Sequence, residues 1–334
     1  MLKIAINGFG RIGRTVFKAG FDRKNVEFVA INDLTEPKIL AHLLKYDSVF
    51  REWPHKVSFD VKHLIIDGKK IPVVAETEPA KLPWKQYAVD VVLECTGRFA
   101  DKAAAEAHLT AGAKKVVISA PAKEVPTYLM GVNHKNYKKS DKIINNASCT
   151  TNSIAPVAAI MEEAFGIKKA MMTTVHSVTA EQNIVDGLPP KMHPDMRRAR
   201  SALINMVPTS TGAAKATGEV VPTLKGKFDG LAIRVPTIDV SLSDFTFLLK
   251  KNTTAEEVNE VFKKAAKSPR WKGILMASDI PLVSSDFIGQ SCSSIVDLEM
   301  TRVVDGDMVK VLAWYDNEWG YSMRLMDLAV FVGK

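Results

Sequence analysis

The apolar residues of the N-terminal half fall into short runs separated by amphipathic stretches. Residues 2–7 are apolar almost throughout, which is typical of a strand buried on both faces of a sheet. A helix-like stretch ends near Gly20, and residues 27–32 form a second strand-like run. The pattern predicts three more strands, at 71–75, 89–93 and 115–119. An alanine-rich helix is predicted at 100–111, between the last two of these strands. Strands that alternate with helices in this way predict a doubly wound parallel α/β sheet.

The pattern changes after residue 149. An apolar helix-like stretch covers 154–165, and a second helix pattern covers 254–267. Long strand-like runs dominate the rest, at 170–176, 227–235, 239–249, 294–297, 301–304 and 308–314. We interpret this half as an α+β domain with a mixed or antiparallel sheet and helices on one face.

The change of pattern divides the chain into two predicted domains. Residues 1–148 form the first domain, and residues 149–318 form a second, catalytic domain. A last helix is predicted over 322–332, and we expect the C-terminal segment 319–334 to pack back on the first domain. The length of 334 residues agrees with two domains of ordinary size.

A glycine-rich turn joins the first predicted strand to the first helix. It spans residues 8–13 (GFGRIG), and Asp33 closes the second strand about 20 residues further on. In Rossmann dinucleotide-binding domains the three glycines permit a tight turn, close approach of backbone to the pyrophosphate, and packing of helix on strand. A carboxylate at the position of Asp33 accepts hydrogen bonds from ribose hydroxyls and repels a 2′-phosphate. The motif therefore predicts a Rossmann domain that binds NAD rather than NADP. The alternative is an unrelated α/β domain in which Asp33 caps a helix.

Two further strand ends in this domain carry small residues. Thr96 follows the strand predicted at 89–93, and Ser119 ends the strand predicted at 115–119. Ligands of open α/β sheets bind at such strand ends, although an ordinary turn explains each one as well. The cofactor-binding residues that we predict in this domain are Gly8, Gly10, Arg11, Ile12, Gly13, Asp33, Thr96 and Ser119.

A candidate nucleophile lies at the start of the next predicted helix. Cys149 stands between a strand-like run at 142–144 and the helix-like run at 154–165. At a helix N-terminus the dipole and the free backbone N–H groups favour the thiolate, which is the nucleophilic form. His176 ends a predicted strand and can act as the base of a nucleophile–base pair. The alternative is a buried inert cysteine and an unrelated histidine.

A dinucleotide site together with an activated cysteine indicates aldehyde oxidation. A thiolate adds to an aldehyde to give a hemithioacetal, which passes hydride to a nicotinamide and becomes a thioester. Water or phosphate then resolves the thioester. An imidazole takes the hydroxyl proton at the hydride step and can lower the thiol pKa as an ion pair. Cys149 and His176 are the predicted catalytic residues.

Composition narrows the class of partner. Lys and Arg number 45 against 37 Asp and Glu, a net charge of +8, and the basic residues are scattered. Without a basic stripe, nucleic acid is not the expected main partner, whereas phosphorylated small molecules suit a basic surface. The three cysteines are too widely spaced for a disulfide framework or a zinc site, so we expect a reducing compartment and no metal. We expect neither a signal peptide nor a membrane span, and hence a soluble cytoplasmic protein.

Four runs of the sequence carry a family resemblance. They are residues 7–14, 147–152, 208–215 and 314–322. In this order, and across essentially the whole chain, they resemble the phosphorylating glyceraldehyde-3-phosphate dehydrogenases. The resemblance implies NAD-dependent oxidative phosphorylation of D-glyceraldehyde 3-phosphate to 1,3-bisphosphoglycerate in glycolysis and gluconeogenesis, through a cysteine-bound hemithioacetal and thioester. It also implies a homotetramer, with the long proline-containing stretch 178–200 at a subunit interface.

The resemblance further implies two anion sites and a nicotinamide contact. Thr179 and Arg234 match positions that hold the substrate phosphate. Arg198 matches an arginine near both anion sites, a role that Arg197 takes if the alignment of the loop shifts by one residue. Asn317 matches the residue that binds the nicotinamide carboxamide. The residues that match the inorganic-phosphate site are Ser148, Thr150, Thr211 and Gly212. Hydroxyls, backbone N–H groups and guanidinium groups all bind phosphate.

Three features depart from the family pattern. Thr77 stands where a basic residue often contacts the adenine side, Ser153 replaces a second cysteine, and the segment 185–195 is a few residues longer than usual. The threonine at position 77 changes the expected adenosine contacts, and the serine at position 153 leaves the chemistry intact.

Two other functions stay open at this point. One is an erythrose-4-phosphate dehydrogenase, whose thioester is hydrolysed. The other is a noncatalytic NAD-binding or nucleic-acid-binding protein, which only the positive charge supports.

Overall fold

The structure is a computed structural model that describes residues 1–189 and 195–334. Within these residues the chain divides into two compact units. The first contains residues 1–129, 134–147 and 322–334, and the second contains residues 130–133 and 148–321. The lengthened segment predicted at 185–195 falls partly on residues 190–194, which lie outside the described residues. No helix in the described ranges is long and apolar enough to cross a membrane.

The first unit is built on an eight-stranded sheet. The strands of the unit, including two outside this sheet, are β1 (Leu2–Asn7), β2 (Val26–Asn32), β3 (Tyr46–Asp47), β4 (Arg51–Glu52), β5 (Val57–Phe59), β6 (His63–Ile66), β7 (Lys69–Val74), β8 (Val91–Glu94), β9 (Lys115–Ile118) and β10 (Ile143–Asn145). Its helices are α1 (Arg11–Phe21), α2 (Pro37–Lys45), α3 (Lys102–Thr110) and the part of α7 (Trp319–Val332) from Ser322 onwards. The strand order is β10-β9-β8-β1-β2-β7-β6-β5, with β3 and β4 forming a separate short ladder. All pairs from β10 to β7 are parallel, so the predicted parallel α/β sheet is confirmed.

One edge of this sheet is antiparallel, which the sequence interpretation missed. β5 pairs with β6 and β6 pairs with β7 in antiparallel fashion. β6 and β7 are joined through Asp67 and Gly68, whose φ angles are 49° and 85°. An Asp-Gly pair between two apolar runs is a strong hairpin signal, so the information was present in the sequence.

The turn between β1 and α1 depends on two close approaches of backbone. Gly8 has a φ of +89°, and a Cβ atom there would lie 2.8 Å from the backbone nitrogen of Thr96. A Cβ atom at Gly13 would lie 2.1 Å from the carbonyl oxygen of Gly8. Both positions therefore require glycine. The turn places the N-terminus of α1 at the carboxyl end of β1, where ligands of parallel sheets bind.

The second unit contains a seven-stranded mixed sheet. Its strands are β11 (Ile167–His176), β12 (Val207–Ser210), β13 (Phe228–Arg234), β14 (Ser241–Leu249), β15 (Leu275–Ser278), β16 (Ser294–Val304) and β17 (Met308–Tyr315). Its helices are α4 (Cys149–Phe165), α5 (Ala213–Val220) and α6 (Ala255–Lys267). The strand order is β12-β13-β11-β14-β17-β16-β15. The β11–β13 and β15–β16 pairs are parallel and the others are antiparallel, so the predicted mixed sheet is confirmed.

The core of this unit lies between one face of the sheet and its helices. β14 alternates between buried and partly exposed positions, and its buried Phe245 and Phe247 pack in one cluster with Val258 and Phe262 of α6. Such alternation is what a sheet with one covered face requires. Two details differ from the sequence interpretation. The strands predicted at 294–297 and 301–304 form the single strand β16, and the helix predicted from residue 154 begins at Cys149.

Candidate active site

Cys149 is the first residue of α4, as its predicted position at a helix start requires. Ser148 is the N-cap, and its Oγ accepts a hydrogen bond from the Thr151 N–H at 3.0 Å. An N-cap serine fixes the start of the helix because it satisfies one of the otherwise unpaired N–H groups. The thiol is thereby placed beside the positive end of the helix dipole.

His176 ends β11 and lies against this thiol. Its Nε2 is 3.5 Å from the Sγ of Cys149, and its Nδ1 is 2.7 Å from the carbonyl oxygen of Ser177. We assign the ring proton to Nδ1, since a carbonyl oxygen at that distance can only accept. The lone pair of Nε2 then faces the thiol, in the orientation that a general base needs.

Burial dominates the protonation of this pair. Burial raises the pKa of the Cys149 thiol, although the Arg234 guanidinium and the hydrogen bonds at the start of α4 act in the opposite direction. Burial, and after it the charge of Arg234, lowers the pKa of His176 to about 3. Burial therefore favours a neutral thiol beside a neutral imidazole, and it opposes the thiolate that the helix terminus favours.

Arg234 ends β13, and the parallel register pairs it with His176. Its Nη1 donates to the Thr179 Oγ1 and to the Ser177 carbonyl, each at 3.0 Å. The same nitrogen lies 3.1 Å from His176 Nδ1. The structure thus brings Thr179 and Arg234 together next to the candidate base.

Arg198 joins this group from a short turn at Met196–Ala199. Its side chain is buried, and its Nε donates to Thr209 Oγ1 at 3.0 Å. Arg197 is instead largely exposed and is bonded to Asp195 at 3.0 Å. The geometry therefore favours Arg198 over Arg197 as the arginine of the site.

The four residues matched to the inorganic-phosphate site lie at two helix starts. Ser148 caps α4, while Gly212 is the N-cap of α5 and has no side-chain capping bond. Thr211 Oγ1 accepts a hydrogen bond from the Ala213 N–H at 3.2 Å. Backbone N–H groups at helix starts favour anions, so both places suit a phosphate oxygen.

Tyr315 connects the helix that carries the thiol to the strand that carries the histidine. Its hydroxyl lies 3.0 Å from Thr150 Oγ1 and 2.8 Å from Thr174 Oγ1. Its ring meets the His176 ring edge-on, with the centroids 5.9 Å apart. The hydroxyl of Thr150, which the resemblance assigns to phosphate, is therefore already engaged within the protein. Sequence reasoning did not identify Tyr315 or Thr174.

Asn317 is buried, and the carbonyl end of its side chain is fixed. Its Oδ1 accepts hydrogen bonds from Ser177 Oγ and Ser241 Oγ, both at 2.8 Å. The amide nitrogen is consequently the end that Asn317 offers to a ligand. Donation by Nδ2 is therefore the contact that this geometry leaves for a nicotinamide carboxamide.

Asp316, which directly precedes Asn317, forms a buried acid pair with Asp239. Asp316 accepts hydrogen bonds from the N–H groups of Gly289, Glu318 and Trp319 at 2.8, 2.9 and 2.6 Å. Asp239 is equally buried and feels the charge of Asp316. Burial, and after it that charge, raises the pKa of Asp239 to about 9, so this side chain is protonated at neutral pH.

Replacing Asp239 by asparagine is expected to stabilise the protein, and to do so more at alkaline than at acid pH. The unfolded chain loses the Asp239 proton near its ordinary pKa, whereas the folded chain keeps it up to about 9. Stability is therefore lost as the pH rises between these two values, and a neutral amide removes that loss. One pKa unit corresponds to ~1.4 kcal/mol, and we expect the melting temperature to rise by about 4 °C or more at about pH 8.

Thermal unfolding at about pH 5 and about pH 8 checks this expectation. The control is Asp279→Asn, which removes an exposed carboxylate. A gain for Asp239→Asn that is no larger at the higher pH contradicts the prediction.

A cavity of about 280 Å³ lies at the carboxyl ends of the first sheet. Four predicted cofactor residues line it, namely Gly8, Gly10, Asp33 and Thr96. A Cβ atom on Gly10 would meet no protein atom within 4 Å, and α1 has no side-chain cap. A ligand phosphate therefore fits at this helix start, which no capping side chain covers. Thr77, one of the three departures, also lines the cavity.

Other predicted cofactor residues contribute differently. Gly13 packs against Gly8, and the Arg11 side chain forms an ion pair with Asp47 at 2.8 Å. Ile12 lies within the first turn of α1, and the Ser119 N–H donates to the Glu94 carbonyl. None of these four lines the cavity.

A buried polar network lies beneath the cavity and was not predicted from the sequence. Asn7 Nδ2 donates to Glu94 Oε2 at 2.5 Å, and Asn32 Nδ2 donates to Asn7 Oδ1 at 2.7 Å. His108 Nε2 is 3.0 Å from the same Glu94 oxygen, and the Thr96 hydroxyl donates to the other carboxylate oxygen. Glu94 thus fixes the strand ends that form the cavity floor. The polar residues at the ends of β1, β2 and β8 were the signal that could have predicted this network.

Comparison with known proteins places this architecture in a family. Residues 2–102 match the family described as the NAD binding domain of glyceraldehyde 3-phosphate dehydrogenase, and residues 148–317 match its C-terminal domain. The chain belongs to the glyceraldehyde-3-phosphate dehydrogenase family. Glyceraldehyde-3-phosphate dehydrogenase 1 of Bacillus cereus is 54% identical over 99% of this chain and 98% of its own length. Glyceraldehyde-3-phosphate dehydrogenase 1 of Bacillus subtilis and the Geobacillus stearothermophilus enzyme are each 53% identical over 100% of this chain and 98% of their own lengths. The family resemblance expected from four sequence runs is confirmed.

Proposed function

We propose that the protein oxidises and phosphorylates D-glyceraldehyde 3-phosphate to 1,3-bisphosphoglycerate, with NAD as cofactor, in glycolysis and gluconeogenesis. The observation that carries this proposal is the 3.5 Å contact between Cys149 and His176 beside Arg234, in a chain of this family. The first unit supplies a cavity whose glycine turn, uncapped helix start and Asp33 fit NAD.

Each catalytic step has a candidate residue. Cys149 Sγ attacks the aldehyde carbon, and its proton passes through His176 Nε2 to the carbonyl oxygen, which gives a hemithioacetal. NAD, held by the glycine turn and Asp33, would supply the hydride acceptor for that carbon. His176 takes the hydroxyl proton in the same step, which leaves a thioester on Cys149. A phosphate oxygen attacks the thioester, and the sulfur leaves and recovers the proton from the imidazolium.

The arginines link anion binding to this proton transfer. Arg234 lies 3.1 Å from Nδ1 of His176, and its charge disfavours the imidazolium that the hydride step forms. A phosphate group bound to Arg234 and Arg198 offsets that charge and raises the basicity of the imidazole. We propose that Thr179, Arg198 and Arg234 hold the substrate phosphate. For the inorganic phosphate we propose the helix starts formed by Ser148, Thr150, Thr211 and Gly212. Asn317 would orient the nicotinamide carboxamide through Nδ2.

A homotetramer in the cytoplasm is part of the proposal. Large apolar side chains are exposed in the second unit at Ile184, Val185, Leu188, Met196, Leu203, Ile204 and Met206. An exposed apolar surface of this extent supports burial against another subunit. The three cysteines form no disulfide with one another, which supports a reducing compartment. Light scattering after size exclusion tests the oligomeric state.

NAD reduction with D-glyceraldehyde 3-phosphate is expected to depend strongly on inorganic phosphate or arsenate. The reason is that acyl transfer from Cys149 needs an oxyanion acceptor. Absorbance assays with and without the oxyanion check this result. Turnover independent of phosphate would point to an erythrose-4-phosphate dehydrogenase, which no comparison favours, and absence of turnover with NAD and NADP would overturn the substrate assignment.

A further inference from the structure

Glu181 occupies the centre of the group proposed to bind the substrate phosphate. Its Oε1 lies 3.4 Å from Arg198 Nη1 and 3.9 Å from Arg234 Nη2. The Thr179 hydroxyl also hydrogen-bonds to its carboxylate. The three side chains that the resemblance assigns to a substrate anion thus converge on an anion of the protein itself.

The carboxylate is charged at neutral pH. Burial acts to raise the pKa of Glu181, but the Thr179 hydrogen bond and the charges of Arg234 and Arg198 together hold it below its ordinary value. Each arginine is therefore partly neutralised before any substrate arrives. An incoming phosphate group has to compete with this carboxylate for the same guanidinium groups.

The arginines are more firmly held than the carboxylate. Arg198 is buried and bonded to Thr209, and Arg234 donates to the Ser177 carbonyl. Glu181 lies in the turn closed by the Gln182 N–H to the Thr179 carbonyl, and 39% of its side chain is exposed. The carboxylate can therefore rotate into solvent while both guanidinium groups stay in place.

We propose that Glu181 sets the affinity of this site for phosphorylated substrate, as an internal counter-ion that the substrate phosphate displaces from Arg198 and Arg234. The inference rests on the proposed function for the identity of the substrate, but the counter-ion role itself concerns only anions. If Glu181 instead served to hold the arginines in position, its removal would weaken anion binding. The two roles predict changes of opposite sign.

The test is Glu181→Gln, which removes the charge and keeps the size of the side chain. The KM for D-glyceraldehyde 3-phosphate is expected to fall by about three- to tenfold, because a like charge leaves the site. Glu163→Gln is the matched control, since it breaks a Glu–Arg pair with Arg270 on another surface of the second unit. An unchanged or higher KM in Glu181→Gln overturns the proposal.

A second readout does not depend on dehydrogenase activity. Iodoacetate and iodoacetamide alkylate the same thiol but differ in charge. In Glu181→Gln the ratio of the iodoacetate rate to the iodoacetamide rate at Cys149 is expected to rise by about three- to tenfold, because the arginines then attract the anion more strongly. A ratio equal to that of the wild type and of Glu163→Gln overturns the counter-ion role. If the wild type lacks turnover but the ratio rises as expected, the substrate assignment fails and the counter-ion role stands.

Discussion

Cys149→Ser is expected to abolish the dehydrogenase reaction, with a loss on the order of 10⁴-fold or more. A serine hydroxyl is a far weaker acid than a thiol, and the base in contact with this position is His176. Burial and the charge of Arg234 lower the pKa of that imidazole to about 3, which makes it too weak a base to activate a serine hydroxyl for attack, whereas it takes the hemithioacetal proton only as hydride leaves the same carbon. No covalent intermediate then forms.

The measurement is turnover of NAD, together with a calorimetric titration of NAD against the variant. NAD is expected to bind as before, because its cavity lies in the first unit. Cys292→Ser is the matched control and should retain activity. Substantial turnover in Cys149→Ser would remove this residue as the nucleophile.

His176→Asn is expected to lower turnover by about 10²- to 10⁴-fold, which is the range for a positioned acid–base group. An asparagine amide can still donate to the Ser177 carbonyl, so the end of β11 is preserved. It cannot accept the thiol proton or the hydroxyl proton of the hemithioacetal. The variant should also react more slowly with iodoacetamide at neutral pH, since Sγ loses its proton acceptor.

Both rates are needed to interpret this variant. A lower turnover with an unchanged alkylation rate would restrict His176 to the hydride step. If neither rate changes, His176 has no part in the mechanism. The control is His63→Asn, which removes a histidine that is paired with Asp60 at 2.7 Å in the first unit.

Local sequence patterns were sufficient to predict most of the fold. The alternation of apolar runs and helical stretches predicts the parallel sheet, and the spacing of Gly8 and Gly13 predicts the strand–turn–helix, because these features depend on residues close together in the chain. The antiparallel edge of the sheet was missed because β5 and β6 are short. The Asp67-Gly68 turn between β6 and β7 was the signal that could have predicted it.

The chemistry around the predicted catalytic residues was harder to predict. Tyr315 bonds to Thr150 and Thr174, and the Asp239–Asp316 pair joins segments that are distant in sequence. Such contacts depend on how β11, β14 and β17 are ordered in the sheet, which no local pattern encodes. The protonation of the Cys149–His176 pair also depends on the folded environment. A helix start suggests a thiolate, whereas the degree of burial that opposes it is known only once the second unit is folded.

The pairing of β11 with β13 has a consequence for how substrate preference can change. His176 and Arg234 are paired in the β11–β13 ladder, and a slip of one residue in either strand would place their side chains on opposite faces of the sheet. The hydrogen-bonded backbone of the sheet therefore fixes the positions of His176 and Arg234 relative to each other. The turn that follows, with Thr179 and Glu181, lies beyond the end of β11 and outside this ladder. Exchanging that turn for another sequence should change which phosphorylated aldehyde is accepted, while the geometry of proton transfer between Cys149 and His176 stays the same. The turn is therefore the natural target for redesigning the substrate preference of the enzyme.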